Sequence, residues 1–471
     1  MNNYSIILLS FVLLISGCEK NKQKDKSKPN IILILTDDQG YLDVGFNGSN
    51  DILTPNIDNL AREGIVFSNG YVTHPYCSPS RAGIMTGRYQ QRFGHEHNVP
   101  FNPDDINLGT PLNEILLSDK MKSLGYNTYA IGKWHLGDNQ SFLPHKRGFD
   151  KWFGFSGGSM NYWGNPSKKG QMQIQRNDSI IESGNLTYLT DDFTNEALSN
   201  IRNNGDKPFF MFLSYNAPHS PDQTTIEYLK KTNHIEFGKR SVYGAMISAI
   251  DHGIGKINTL LSEMNIKDNT MIIFLSDNGG RLDVANNGPF RGHKGMLFEG
   301  GIRVPFAISW PSRLKKNMIF DEPIISLDLF TTCMAAAGLI AKESYKLDGI
   351  NLLPYLEEKT NNKLKERNLF WRVANGKEYA IRKGKYKLIK SAYKNKIMLF
   401  DLENDKMETN DISKSNPKIV SELSSLYRDW NNQLTIPLWS DPHIENIIKE
   451  ENQYFTIRKK SLSKNEEKYF D

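Results

Sequence analysis

The sequence predicts an α/β fold: a large, mostly parallel central sheet with helices on both faces, plus a smaller C-terminal antiparallel sheet packed with a helix. Three observations carry that prediction. The runs Pro29–Leu35, Lys207–Tyr215 and Thr270–Ser276 are apolar almost throughout rather than alternating, as strands buried on both faces are. Apolar strand, polar strand end and helix recur in turn, the repeat of an open α/β sheet. Beyond Pro354 the texture changes to short strands separated by turn residues.

Taken in order, Ile6–Ile15 is an apolar stretch too short to span a bilayer and reads as the core of a targeting segment, residues 1–17. It closes on Leu14-Ile15-Ser16-Gly17-Cys18, which resembles a bacterial lipobox, although a charged leading region is missing. That resemblance implies cleavage before Cys18 and lipidation of it; an ordinary cleaved signal peptide is the alternative. Residues 18–28, rich in Lys and Asn, form a solvated tether.

The large domain spans 29–354. Pro55 opens a short helix that Thr54 caps and Gly64 stops, and a strand follows to Phe67. A second helix is predicted from Pro111 to Leu124, capped by Thr110, with Leu112, Ile115, Leu116 and Met121 on one side. Tyr126–Lys133 is a further strand. Phe149–Leu189, rich in Gly, Asn, Ser and aromatics, reads as a long functional loop rather than core. Arg240–Glu263 is a long helix with weak points at Gly253 and Gly255. Residues 355–471 make a small α+β part: strands at Leu369–Val373, Tyr379–Ile389 and Ile397–Asp401, a helix from Pro417 to Leu434, and a charged tail.

The 471 residues suffice for one large and one smaller domain. A formal charge of +5 is too mild to argue for nucleic acid, and none is expected as a partner. There are three cysteines, and Cys333 sits in an apolar helical stretch, so no disulfide is expected.

The chemistry gathers at strand ends, where open α/β sheets bind ligands. Asp37-Asp38 follow the first apolar run, His219 the second, and Asp277-Asn278 the third. Adjacent aspartates repel unless a cation shares them; alone, the pair reads equally as an acidic turn. Cys77-Ser-Pro-Ser-Arg81 puts a cysteine near the start of a helix running to Met85, where free N–H groups favour an anion. Arg81, one turn on, returns a planar fork suited to an oxyanion. Alone, this cysteine is as readily a small buried hydrophobe. Lys133 and His135 flank Trp134 and share a face if the strand continues; a surface lysine with a packed histidine is the alternative. Lys294 lies in Arg291-Gly-His-Lys-Gly295. Tyr162 and Trp163 are candidates for contacting a substrate. So are His95 and His97 at a pocket mouth, with surface positions as the alternative.

Cys77-x-Pro-Ser-Arg81 followed by Thr86-Gly87-Arg88, and Gly125-Tyr-x-Thr-x-x-x-Gly-Lys133-Trp-His135, resemble the two signatures of the type I sulfatases, part of the alkaline-phosphatase-like superfamily. Tyr76 is bulkier than the residue expected before the cysteine. The resemblance implies that a maturation enzyme converts Cys77 to formylglycine, whose hydrated aldehyde attacks sulfur. It implies a divalent cation, Ca²⁺ or else Mg²⁺, held by Asp37, Asp38, Asp277, Asn278 and residue 77. Arg81, Lys133 and Lys294 would then neutralise the sulfate oxygens, and His219 would protonate the departing sugar oxygen. His135 would take the proton whose loss regenerates the aldehyde. The implied substrate is a sulfated carbohydrate, and the implied setting is the periplasm or cell surface, on a lipid anchor. A phospho- or phosphonate-ester hydrolase of the same superfamily and a non-catalytic glycan-binding lipoprotein are the alternatives.

Overall fold

The computed structural model describes residues 28–440 except 165–171, 341, 343–344, 358–361 and 393–395. The targeting segment, the lipidation position Cys18, most of the tether and the charged tail lie outside the described residues.

The apolar runs form the middle of a ten-stranded sheet. Its order is Met318–Phe320, Ile65–Phe67, Phe306–Ser309, Thr270–Ser276, Asn30–Thr36, Phe209–Ser214, Asn127–Lys133, Lys151–Phe155, Gln175–Arg176 and Ser179–Ile180. Asn30–Thr36 is parallel to both of its neighbours, and the parallel arrangement continues through Lys151–Phe155. Phe306–Ser309 runs antiparallel to both of its neighbours, which makes the sheet mixed.

Side chains of a strand alternate between faces, and here both faces are covered. Ile31, Leu33 and Leu35 pack with Ala82 and Met85 of helix Cys77–Thr86 and with Phe330 of helix Asp328–Ala336. Ile32 and Ile34 pack with Phe193 of helix Leu189–Arg202 and with Ile250 and Ile254 of helix Lys239–Glu263. The last of these is continuous through Gly253 and Gly255. A separate four-stranded antiparallel sheet, Asn368–Val373, Glu378–Lys383, Tyr386–Ser391 and Lys396–Asp401, packs against helix Pro417–Asn431. Its Trp371, Leu388 and Leu399 share an apolar cluster with Tyr71, Phe298 and Ile302 of the large domain.

Three local expectations are corrected. The helix expected over 111–124 is confined to Leu117–Ser123. Arg147 draws the carbonyls of Thr110, Pro111 and Glu114 at 2.9, 3.3 and 3.1 Å, and Leu116 N–H goes to the Asp119 carboxylate, so the preceding stretch closes only a single tight turn, Glu114 N–H on the Pro111 carbonyl, and no helix. Leu112 and Ile115 are consequently exposed. The region 149–189 is not all loop: Lys151–Phe155 is a sheet strand, with Trp152, Phe153 and Phe155 buried. Thr54 stands at the cap of helix Pro55–Arg62, yet its hydroxyl accepts from Gly45 N–H and meets Asp58 instead of capping.

Candidate active site

Five strand and helix ends converge on one buried cluster. Helix Cys77–Thr86 starts at Cys77, whose thiol lies 3.4 Å from Asp37 Oδ1 and 3.8 Å from Asp38 Oδ1. Arg81, four residues on, is fully buried. Its Nε donates to Asp277 Oδ2 at 2.8 Å, and its Nη1 donates to Ser214 Oγ at 2.6 Å and the Lys133 carbonyl at 3.1 Å. Its Nη2 has no hydrogen-bond partner and sits 3.7 Å from Asp37 Oδ2. Lys133 Nζ reaches Asp37 Oδ2 at 2.6 Å, and Lys294 Nζ reaches Asp38 Oδ2 at 2.8 Å. His219 Nε2 lies 3.7 Å from Asp38 Oδ2, while its Nδ1–H donates to the Ser220 carbonyl at 2.6 Å. Three carboxylates thus face three cations pairwise.

The backbone is bent at several of these points. Asp38 has φ +65°, a left-handed conformation uncommon outside glycine. Its N–H donates to Asp277 Oδ1 at 3.2 Å, and the Tyr243 hydroxyl lies between its carbonyl and the Asp43 carboxylate, at 3.1 and 2.8 Å. Gly132, inside its strand, has φ +95°, and a Cβ there would overlap the Ser214 carbonyl oxygen. The chain turns there, just before Lys133 ends the strand. Strand geometry does not continue to His135, which has φ +61°. Its ring nevertheless lies near enough to Lys133, Arg81 and His219 to feel their charges.

Burial raises the Cys77 thiol well above its ordinary value, so it is neutral and a poor nucleophile as it stands. Burial, then the Lys294 charge, pushes His219 down to about 3. Burial, then Lys133 and Arg81, keeps His135 neutral. Burial opposes ionisation of Asp38, but Lys294 and His219 outweigh it and hold the carboxyl well below the usual range. Burial and then Asp37 raise Asp277, the mark of crowded carboxylates.

The donor chemistry fits a hard cation. Asp37, Asp38, Cys77 and His219 each offer a ligand atom within 4.8 Å of the others. Asn278 Oδ1 is buried without a hydrogen-bond partner, while its amide N–H donates to Asp38 Oδ1 at 2.7 Å. Carboxylate and amide oxygens dominate the set, as Ca²⁺ and Mg²⁺ require.

Two sequence candidates for substrate contact are placed elsewhere. His95 is fully buried, with Nε2 at 2.7 Å from Ser78 Oγ and Nδ1 at 3.0 Å from Thr110 Oγ1, so it does not line a mouth. Tyr162 is also fully buried; its hydroxyl meets the carbonyls of Asn216 and His219, each at 2.8 Å. It holds the His219 loop rather than presenting a ring. Trp163 is 39% exposed and rests against Tyr188. The sequence reading missed Ser214, Asp43 and Tyr243. Asp43 lies five residues past Asp38 in the same loop, the one local signal; nothing local marks the other two.

The sulfatase family profile matches residues 29–339, and that of the C-terminal region of N-sulphoglucosamine sulphohydrolase matches 290–461. The chain is 35% identical over 368 residues to human N-acetylgalactosamine-6-sulfatase, covering 73% of this chain and 68% of that protein. The crystal structure of Ps i-CgsB in complex with k-i-k-neocarrahexaose superposes with a TM-score of 0.82 at 35% identity, covering 94% of this chain and all of that one. A structure described under metabolism of multiple glycosaminoglycans by Bacteroides thetaiotaomicron gives a TM-score of 0.74 at 25% identity, over 86% of this chain and all of that one. With this cluster at the strand ends of this sheet, the chain belongs to the sulfatase family, sulfuric ester hydrolases of the alkaline-phosphatase-like superfamily.

Proposed function

We propose that the protein hydrolyses sulfate esters on a sulfated carbohydrate, with residue 77 acting as formylglycine. The observation that carries this reading is the neutral, buried Cys77 at a helix start, ringed by Lys133, Arg81 and Lys294. A thiol so placed is inert, whereas an oxygen nucleophile there would face cations and helix N–H groups suited to a sulfate. The carbohydrate part is supported by the names of the relatives, an N-acetylgalactosamine-6-sulfatase and a protein solved with a neocarrahexaose.

Asp37, Asp38, Asp277 and Asn278, with residue 77, would hold Ca²⁺ or Mg²⁺, which when bound supplies positive charge against the ester's oxygens. The hydrated aldehyde would supply the geminal hydroxyls. Arg81 Nη2, which lacks a partner, is free to donate to a sulfate oxygen. His219 holds its Nδ1 proton on Ser220, so Nε2 is the atom that carries a proton to the departing sugar oxygen. A sulfate ester beside it raises its basicity by adding negative charge. His135 is the neutral base for the remaining hydroxyl.

The chain's own maturation and setting belong to the same reading. A formylglycine-generating partner acts on Cys77, and lipid on Cys18 holds the enzyme at the periplasmic membrane or cell surface. Loss of fatty-acid labelling in C18A tests the anchor. The function is tested on protein co-expressed with a formylglycine-generating enzyme. Peptide mass spectrometry across Cys77 first confirms conversion, then sulfated oligosaccharides are compared with phosphate and phosphonate monoesters. Sulfate release from a glycan is expected. Preferential turnover of the phosphorus esters, or no sulfate release by converted protein from any glycan or aryl sulfate, refutes the proposal.

A further inference from the structure

We infer that His95 is a positioning residue: through Ser78 it fixes the main chain of His135 against the helix that carries residue 77. The inference rests on the sulfatase reading and adds a residue that touches none of the reacting groups.

The hydrogen bonds around His95 have one consistent direction. Ser78 Oγ lies 2.6 Å from the His135 carbonyl oxygen and 2.7 Å from His95 Nε2; Thr110 Oγ1 lies 3.0 Å from His95 Nδ1. A carbonyl oxygen only accepts, so the single hydroxyl proton of Ser78 goes to His135. His95 Nε2 must then carry the proton given to Ser78, and Nδ1 keeps the lone pair that accepts from Thr110. The chain runs Thr110 to His95 to Ser78 to His135, and all four residues are buried. Burial, with His97 and Arg147 nearby, pushes His95 down to about 3, so the neutral ring this chain needs persists at neutral pH.

Both ends of the chain matter to the site. Ser78 directly follows residue 77, and its N–H donates to Asn98 Oδ1 at 3.2 Å. His135 carries its ring into the site from a left-handed backbone, with its N–H on the Ser156 carbonyl at 2.7 Å. The Ser78 hydroxyl is what holds the other side of that residue, its carbonyl. Trp439 seals the arrangement: its ring stands edge-on to His95 at 4.8 Å between centroids, and its Nε1–H donates to the Asn98 carbonyl at 3.0 Å. Removing the imidazole would leave the Ser78 hydroxyl without the donor that orients it, free to rotate away from the His135 carbonyl. The side chains would survive with their mutual distance unfixed.

The test uses the full chain, matured, with conversion at residue 77 verified by mass in every variant. H95A lowers kcat by about 100-fold with KM within about 3-fold, the signature of misplacement rather than lost binding. H95Q, whose Nε2 amide can donate to Ser78 from nearly the same place, recovers to within about 10-fold of wild type, and the shorter H95N does not. Long-range ¹H–¹⁵N spectra of histidine-labelled protein read the ring without turnover. One histidine in the Nε2–H form, unresponsive between about pH 5 and 8 and absent from H95Q, is expected. Equal losses in H95A and H95Q, or a His95 ring in the Nδ1–H form, overturn the inference. A wild type that is converted but releases no sulfate sinks the sulfatase reading instead, and the tautomer still decides the placement of His95. The spectra also decide it if H95A does not fold.

Discussion

Lys387 is the test of how the C-terminal sheet is fastened to the catalytic half. Its ammonium is fully buried, 2.8 Å from Glu299 Oε1 and 2.9 Å from Glu408 Oε1. Glu299 also meets Arg303 at 3.1 Å and the Tyr71 hydroxyl at 2.5 Å, and its N–H donates to Glu408 Oε2 at 2.7 Å. Burial opposes its ionisation, but Lys387 and Arg303 hold it well below the ordinary range. Glu408 goes the other way, raised by burial and by the Glu299 charge, so it takes up a proton first. K387M keeps the volume and deletes the charge. Breaking a buried pair on one side costs about 3–5 kcal/mol.

That loss carries a pH signature. Lys387 lowers both glutamates in the wild type, so K387M raises the folded value of each relative to wild type. A group raised on folding contributes stability that is full below its unfolded value and is lost as pH rises through the folded one. The deficit of K387M against wild type is therefore largest near pH 8 and shrinks toward pH 5, by about 1.36 kcal/mol for each pH unit over which one carboxyl is protonated in folded K387M but ionised in folded wild type. Urea unfolding of both proteins at the two pH values measures it. A deficit below about 1 kcal/mol at pH 8, or one that is equal at both, would refute the reasoning, since either means the carboxylates are not confined with the ammonium.

Other expected outcomes follow from the site. R81K lowers sulfate release by about 100- to 1,000-fold on converted protein, because one ammonium cannot serve Asp277, Ser214, the Lys133 carbonyl and a ligand at once; activity within tenfold of wild type would contradict the clamp. Y162F leaves the His219 carbonyl without its hydroxyl donor, so it loses about 1–3 kcal/mol of stability in urea unfolding and lowers kcat more than it changes KM. Calcium at about 100 times its Kd stabilises the wild type by about 2.7 kcal/mol against a chelated sample in thermal melting, and N278A loses most of that gain; an equal gain in N278A would remove Asn278 from the ligand set.

Much of the site was legible because it obeys local rules. Apolar runs that end in Asp37-Asp38, Asp277-Asn278 and Asn216–His219 announce strand ends, and strands of a parallel sheet bring those ends to one edge. Arg81 follows from Cys77 by one helical turn. What stayed hidden depends on partners far along the chain. Tyr243 supports Asp38 from near the start of helix Lys239–Glu263, 205 residues away, and Ser214 receives Arg81 from a distance of 133 residues. His95 and Tyr162 were misread for a related reason: in polar, glycine-rich sequence a ring looks exposed, and only the fold shows the backbone groups that claim its polar atoms. The helix over 111–116 had the right apolar period, but Arg147 claims the carbonyls it needed.

The sequence reading divides the chain near residue 354, but the contacts across that point argue against two independent parts. The two family profiles overlap over 290–339. Arg372 of the small sheet places its guanidinium on Glu96 at 2.5 and 3.0 Å, and Asn375 N–H reaches the other Glu96 oxygen at 2.8 Å. Glu96 adjoins His95, so the small sheet braces the loop that holds Ser78. Trp371 Nε1–H donates to the Val72 carbonyl at 2.7 Å, five residues before Cys77. Cutting the chain at residue 354 would strand Glu96 and Glu299 without Arg372 and Lys387, and would uncover Tyr71, Phe298 and Ile302. Each of those apolar side chains costs about 1.5–3 kcal/mol to expose, and a buried carboxylate without its cation costs more. A chain of residues 29–354 is therefore expected to aggregate or to release no sulfate after conversion. Soluble expression with undiminished turnover would mean that the catalytic half positions its own nucleophile, and that the small sheet is an addition rather than a support.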